Sequence, residues 1–253
     1  MYRATIDRHA TSSPGERVAV IIPARNEAGN VSHVIRDVHR HLPEAEIVII
    51  DDNSEDGTAE TAEAFPDVTV LRSPICLGIG GAVQLGIRYA LASGFTRFVR
   101  MDEDGQHRAG EAAAMLASLG PRTLVQGSRS PEQFTATSNW VRKLGSIYFQ
   151  MLFRFGISRS VPDPTSGFMC FGKDIATLFA SFYPTDFPEI ESLVLLIRSG
   201  HAIVPITVPM EARRAGASSI GPLRGAVYML SVSLAFFSSF LRKNPYGRSA
   251  LES

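Results

Sequence analysis

The chain has 253 residues, 45% of them hydrophobic, enough to bury the core of one large α/β domain or two small ones. Lysine plus arginine and aspartate plus glutamate each total 25, so the formal charge is zero and no global basic field directs the chain to nucleic acid. The two cysteines, Cys76 and Cys170, are too far apart for a C-x-x-C redox pair or a zinc knuckle, and reduced thiols in a cytoplasmic protein are expected.

Residues 1–17 are polar, contain Pro14-Gly15 and have no apolar h-region; a loose leader and no signal peptide are expected. Arg17–Ile22 reads as a strand ending at Pro23. Asn30 is expected to cap a helix whose Val31, Val34, Ile35, Val38 and Leu42 follow helical spacing. Glu46–Ile50 is a buried strand ending in Asp51-Asp52. Thr58 opens a helix that Pro66 closes, with Asp51 or Asp56 able to cap it. Val68–Leu71 is a strand, Gly80–Ala92 a helix ended by Gly94, and Arg97–Met101 a strand. Glu111–Leu119 is a helix, and Thr123–Gln126 a strand running into Gly127-Ser128-Arg129. Strands alternating with helices predict an α/β fold with a mostly parallel sheet covered on both faces.

The second half is less regular. Trp140–Phe155 is an aromatic-rich helical pattern, Pro162–Phe168 a turn segment, Phe187–Ser199 a helix, Ala202–Val208 a strand and Leu223–Leu241 an apolar helix. Trp140, Tyr148, Phe149, Phe153 and Phe155 are core or interface positions, the latter allowing a homo-oligomer. Gly225–Leu241 is uncharged between Arg224 and Arg242-Lys243. A spanning helix needs about 20 apolar residues, and this one carries Ser231, Ser233, Ser238 and Ser239. An interfacial helix with snorkelling basic ends, or one docked on a small membrane partner, fits better than a span; a core or dimer helix is the alternative. The division expected is a leader at 1–17, one domain at 18–221 and a C-terminal apolar helix and tail at 222–253.

Polar residues cluster at successive strand ends: Pro23–Glu27, Asp51–Gly57, Asp102–His107 and Gly127–Arg129. In a parallel sheet these ends share one edge, where open α/β sheets bind ligands. Asp102-Glu103-Asp104 places three acids in a row where a strand ends. Packing alone does not call for that, and adjacent carboxylates wait for a cation. Mg2+ or Mn2+ takes oxygen ligands and holds substrate phosphates as well. A solvated acidic turn is the bland alternative. Gly78-Ile79-Gly80-Gly81 lacks the third glycine of a dinucleotide fingerprint, Val83 standing in its place, and reads as a tight start to a helix. His33, His39 and His41 read as solvated histidines on a surface helix rather than a zinc site.

Ile21-Ile22-Pro23-Ala24-Arg25-Asn26-Glu27 followed by Ile50-Asp51-Asp52-Asn53-Ser54-Glu55-Asp56-Gly57-Thr58 resembles the opening of family 2 glycosyltransferases of the GT-A fold. Asp102-Glu103-Asp104-Gly105-Gln106-His107 is similar to the D-x-D-x-Q-H form of the dolichol-phosphate mannose synthase and polyprenyl-phosphate glycosyltransferase branch. Gly127-Ser128-Arg129, Asp163-Pro164-Thr165-Ser166-Gly167-Phe168 and Arg213-Arg214-Ala215-Gly216-Ala217-Ser218-Ser219 resemble later motifs of that branch, in the same order. The resemblance implies an inverting, metal-dependent transferase that takes sugar from a UDP- or GDP-linked donor. The acceptor it implies is a dolichyl- or undecaprenyl-type phosphate at the cytoplasmic face of a membrane. Pro23, Ala24, Arg25 and Glu27 would line the nucleotide pocket, with Asp52 accepting from the base. Asp102 would lie near the sugar or ribose and beside the metal, Asp104 and Gln106 would bind Mg2+ or Mn2+, and Glu103 would contribute mostly backbone. Arg129 and Arg213 would approach the diphosphate or the acceptor phosphate. For a hydroxyl acceptor, Asp163 is the leading general base, followed by Asp186, Glu189 and Glu191. Two departures stand out: Arg25 replaces a frequent aromatic residue, and Met169 replaces a frequent arginine, leaving Arg142, Lys143 or Arg214 to hold an acceptor phosphate. Transfer to a sugar hydroxyl in polysaccharide or glycolipid assembly is the same-class alternative. A nucleotidyltransferase or a non-catalytic nucleotide-sugar-binding protein is the alternative of another class.

Overall fold

The run Val18–Ala24 is buried at every position, which puts it in the centre of a sheet covered on both faces. The computed structural model, which describes residues 16–130, 147–154, 161–209, 230–234 and 236–238, bears this out. In chain order the strands are β1 (Val18–Ala24), β2 (Glu46–Asp51), β3 (Val68–Arg72), β4 (Arg97–Arg100), β5 (Thr123–Ser128), β6 (Met169–Gly172) and β7 (Ala202–Thr207). The helices are α1 (Ala28–His41), α2 (Thr58–Glu63), α3 (Gly78–Ala92), α4 (Ala109–Ala117), α5 (Lys173–Ser181) and α6 (Pro188–Arg198). Residues 147–154, 230–234 and 236–238 are also helical.

The seven strands form one sheet in the order β3-β2-β1-β4-β6-β5-β7. Every pairing is parallel except those of β6, which runs antiparallel to β4 and β5. Because side chains alternate across a strand, each strand feeds two cores. Ala19, Ile21, Val48, Ile50, Phe98 and Phe171 face α3, α5 and α6. Val20, Ile22, Ile47, Ile49, Val99 and Cys170 face α1, α2 and α4. Helix α3 lies close on the sheet because it has no side chain at Gly86, where a Cβ would fall 2.7 Å from both Ile21 and Ile50.

Several expectations are corrected. Strand β1 continues through Pro23 to Ala24 rather than stopping at Ile22. Pairing with β4 ends at Ile21↔Arg100, while pairing with β2 continues to Ala24↔Asp51. The missing N–H of Pro23 falls on the side where β4 has already ended, so no ladder bond is lost. Asn30 does not cap α1. Glu27 occupies that position, and the buried Asn30 donates from Nδ2 to Glu27 Oε2 at 2.6 Å. Strand β6 and helix α5 were not anticipated. Glu16 and Arg17, at the end of the expected leader, engage the domain: Glu16 pairs with Arg97 at 2.9 Å, and Arg17 lies 4.1 Å over the Phe95 ring. The rest of that leader, most of 222–253, Trp140, Arg142, Lys143, Phe155, Arg213 and Arg214 lie outside the described residues.

Candidate active site

The loops following β1 and β2 are stitched together. Asn26 N–H donates to Ser54 Oγ at 3.0 Å, and Glu55 N–H returns to Asn26 Oδ1 at 2.9 Å. Glu27 N–H donates to Thr58 Oγ1 at 2.8 Å and Ala28 N–H to Asp56 Oδ2 at 3.0 Å. Asn26 and Asn53 take left-handed backbone at φ 55° and 60°, a conformation asparagine tolerates better than most residues. Asp56 also accepts from Thr58 N–H at 3.0 Å, so one carboxylate serves the start of both α1 and α2. Burial works against its charge, but the bonds from Thr58 and Ala28 prevail and lower its pKa. Asp56→Ala is expected to cost about 1–2 kcal/mol of stability. A depressed folded pKa gives stability present above the ordinary carboxylate value and lost as pH falls through the lower folded value. The gap between wild type and variant in urea melts should therefore close below about pH 4.

Asp52, expected to read the base, is buried and braces the start of α3: it accepts from Leu77 N–H at 2.5 Å and Gly78 N–H at 2.9 Å. Arg25 at the rim donates to the Cys76 thiol. Pro23, Ala24, Arg25, Asp52, Gly78, Ile79, Ala82 and Glu103 together line a cleft of about 190 Å³. The structure thus gathers four of the five residues expected at the nucleotide, with Glu27 next to them as the α1 cap.

The acidic loop leaves β4 beside this cleft. Asp104 Oδ1 accepts from Gln106 N–H at 3.0 Å, and Gly105 takes φ +73°, so the chain turns tightly around the buried Asp104. His107 returns under the loop. Its Nδ1 accepts from Asp102 N–H at 3.0 Å and its ring stacks on Phe168 at 4.8 Å. Burial lowers its pKa and keeps the ring neutral, as an acceptor Nδ1 requires. Burial, with Asp102, Asp104 and Glu27 nearby, pushes the Glu103 carboxyl up to about 8. Such crowding of acids fits a divalent cation. Among the described residues no three His, Cys, Asp or Glu side chains are grouped to ligate one ion. Asp102, Asp104 and Gln106, the residues expected at Mg2+ or Mn2+, carry oxygen donors on this one loop and are the ones that could hold such an ion.

Opposite lies an ion pair. Arg129, just past β5, holds the fully buried Asp163 in a fork, Nε to Oδ2 at 2.7 Å and Nη2 to Oδ1 at 2.8 Å. Thr165 Oγ1 donates to the same carboxylate at 3.1 Å. Asp163, expected as a general base, thus has both oxygens engaged. The antiparallel β6 explains how it gets there: the chain enters β6 at the edge where parallel strands end, so 163–168 joins the other clusters. Gly127 leaves room for Phe168, whose ring carbon would lie 2.7 Å from a Cβ there. Asp186 is exposed, Glu191 is buried, and Glu189 accepts from Arg100 at 2.7 Å. Arg100 had no role in the sequence reading; an arginine inside a strand was the available signal. Arg213 lies outside the described residues.

The model of glycosyl transferase family 2 matches residues 19–179. The polyprenol monophosphomannose synthase of Mycolicibacterium smegmatis is 29% identical over 224 residues, covering 83% of each chain. The undecaprenyl-phosphate mannosyltransferase of Micrococcus luteus is 29% identical over 167 residues, 62% of this chain and 67% of that one. Among solved structures, the mannosyltransferase PcManGT from Pyrobaculum calidifontis in complex with GDP-Man and Mn2+ superposes with TM-score 0.63 at 17% identity, covering 93% of this chain and 68% of that one. The last match confirms the expected GT-A architecture. With its ordered motifs, the stitched cleft and the acidic loop at one sheet edge, the chain belongs to glycosyl transferase family 2 and is a glycosyltransferase.

Proposed function

We propose that the protein transfers a sugar from a UDP- or GDP-linked donor to a polyprenyl phosphate, with inversion at the anomeric carbon and with Mg2+ or Mn2+ bound. The observation that carries the acceptor choice is the state of the carboxylates. Attack by a sugar hydroxyl needs a general base. Asp163, the leading candidate for that base, is enclosed by Arg129, and Glu189 is held by Arg100 at 2.7 Å, while Glu191 is buried and Asp186 is exposed. A phosphate acceptor is already ionised and needs neither. The names of the two relatives, which specify polyprenol and undecaprenyl phosphate, support the same choice.

The roles follow from charge. Pro23, Ala24, Arg25 and Asp52 bind the nucleoside, with Glu27 beside the ribose and Glu103 closing the cleft. Asp102, Asp104 and Gln106 hold the cation, which when bound neutralises charge on the departing diphosphate. Arg129, fixed by Asp163, presents a permanent positive charge to phosphate oxygens, and Arg213 supplies a second one. The acceptor phosphate attacks from the face opposite the diphosphate.

Peripheral attachment to the cytoplasmic face of a membrane belongs to the same proposal. Among the described residues no helix is long and apolar enough to cross a membrane. Leu230, Leu234 and Phe237, at i, i+4 and i+7 on one helical face, are 63%, 63% and 56% exposed. The neighbouring helical stretch, joined through Tyr148–Ser233 at 2.7 Å and the Phe153–Phe236 ring contact, exposes Ile147 and Met151. Exposed apolar rows of this kind suit the headgroup boundary. Replacing Leu230, Leu234 and Phe237 with serine is expected to release the protein from sedimented anionic vesicles while Mn2+-dependent nucleotide binding persists.

The acceptor assignment is tested by extracting reactions of radiolabelled GDP-mannose or UDP-glucose with a short polyprenyl phosphate into organic solvent. An acid-labile lipid-linked sugar of inverted configuration is expected. Label appearing only on a hydroxyl acceptor would refute the assignment.

A further inference from the structure

At the end of β4, Arg100 occupies a register position whose neighbours are apolar. Phe98 precedes it on the same sheet face, and Met169 pairs with it from β6. Arg100 is nevertheless only 1% exposed. A buried guanidinium is costly unless paired. Its Nη2 donates to Glu189 Oε1 at 2.7 Å and to Asp102 Oδ1 at 3.3 Å. One nitrogen therefore joins the first turn of α6 to the first acid of the loop beside the nucleotide cleft. A second, independent feature presses on this joint. A Cβ on Gly167 would lie 2.9 Å from Arg100 Cζ and 2.9 Å from Asp102 Oδ1. The backbone at Gly167 is thus packed directly over the bond between them, and an added Cβ there would push Arg100 or Asp102 out of place.

We infer that Arg100 is a positioning residue: anchored by Glu189 on α6 and covered by Gly167, it sets the orientation of Asp102 toward the donor diphosphate and its cation. The inference rests on the donor-site reading given above. Arg100 does not itself touch substrate; it acts through Asp102. Partners of metal-site carboxylates contribute to affinity in this way. The joint also links the acceptor-side segment 163–168 to the donor side, so a shift of one is felt at the other.

The test uses Arg100→Lys, Glu189→Gln and Gly167→Ala, and measures calorimetrically the Mn2+ concentration that half-saturates UDP or GDP binding, with melting temperature alongside. Arg100→Lys and Gly167→Ala are expected to raise it by about tenfold, and Glu189→Gln to raise it in the same direction. In an Asp102→Asn background, Arg100→Lys should add nothing further, because its effect passes through Asp102. Lower melting temperatures with unchanged Mn2+ dependence would reduce Arg100 to a structural role and overturn the inference. Additive losses in the double variant would overturn it too, by showing a route other than Asp102. A wild-type protein that binds neither nucleotide with Mn2+ would remove the donor-site reading, and the inference with it.

Discussion

Asp104→Ala is expected to reduce sugar transfer by on the order of a thousandfold, a metal's several kcal/mol of charge stabilisation at about 1.4 kcal/mol per tenfold. The fold should survive. Asp104 accepts from Gln106 N–H at 3.0 Å, a turn bond within its own loop. Its removal also subtracts one of the acids that push the Glu103 carboxyl up to about 8. Melting temperature should therefore change little, relief of repulsion offsetting the lost turn bond. Steady-state rates together with thermal melts check both halves. Retained transfer would remove Asp104 from the metal site.

The second large effect concerns the buried pair. Arg129→Met should destabilise the protein by about 3–5 kcal/mol, because it strands a carboxylate in the interior. Asp163 is 0% exposed and takes both arms of the Arg129 fork at 2.7 and 2.8 Å. Burial opposes the Arg129 charge, but the bonds it donates to Asp163 and that carboxylate's charge raise its pKa, so the arginine stays ionised across the working range. Replacing both residues, Arg129→Met with Asp163→Leu, removes the stranded charge. Buried pairs exchanged for apolar residues of similar volume are often neutral or better for stability. Urea titration should thus show the double variant regaining most of the loss, while transfer stays abolished because the Arg129 charge no longer faces the phosphates. Recovery of transfer along with stability would mean that the pair serves the fold alone.

Much of this was legible in the sequence for physical reasons. Strands such as Val18–Ala24 and Glu46–Asp51 are buried on both faces and read as continuous apolar runs, so the parallel part of the sheet and its polar edge could be placed in advance. The acids of 102–104 stood out because nothing in a core calls for them. Strand β6 did not stand out. Met169–Gly172 is four residues long, and its antiparallel direction depends on partners far along the chain. Missing β6 hid why Asp163 meets Arg129: the motif was visible as a turn, but its burial was not. Asn30 was taken for a cap on propensity, whereas tertiary contacts from Thr58 and Asp56 set the start of α1 around Glu27 and Ala28. Asp52 was read through its ligand role, although its bonds to Leu77 and Gly78 show that the same carboxylate also shapes the cleft. Arg100 escaped because its partners, Asp102 and Glu189, are joined only by the folded chain.

The most direct measurement is nucleoside diphosphate release from UDP-, GDP- and dTDP-sugars, with and without a short polyprenyl phosphate, in Mg2+, in Mn2+ and in chelator. Release that requires both the lipid phosphate and the metal, matched mole for mole by lipid-linked sugar, is the expected result and would identify the donor. Metal-dependent release indifferent to the lipid would contradict the acceptor assignment. Lipid-dependent transfer that persists in chelator would contradict the role of Asp104 and Gln106.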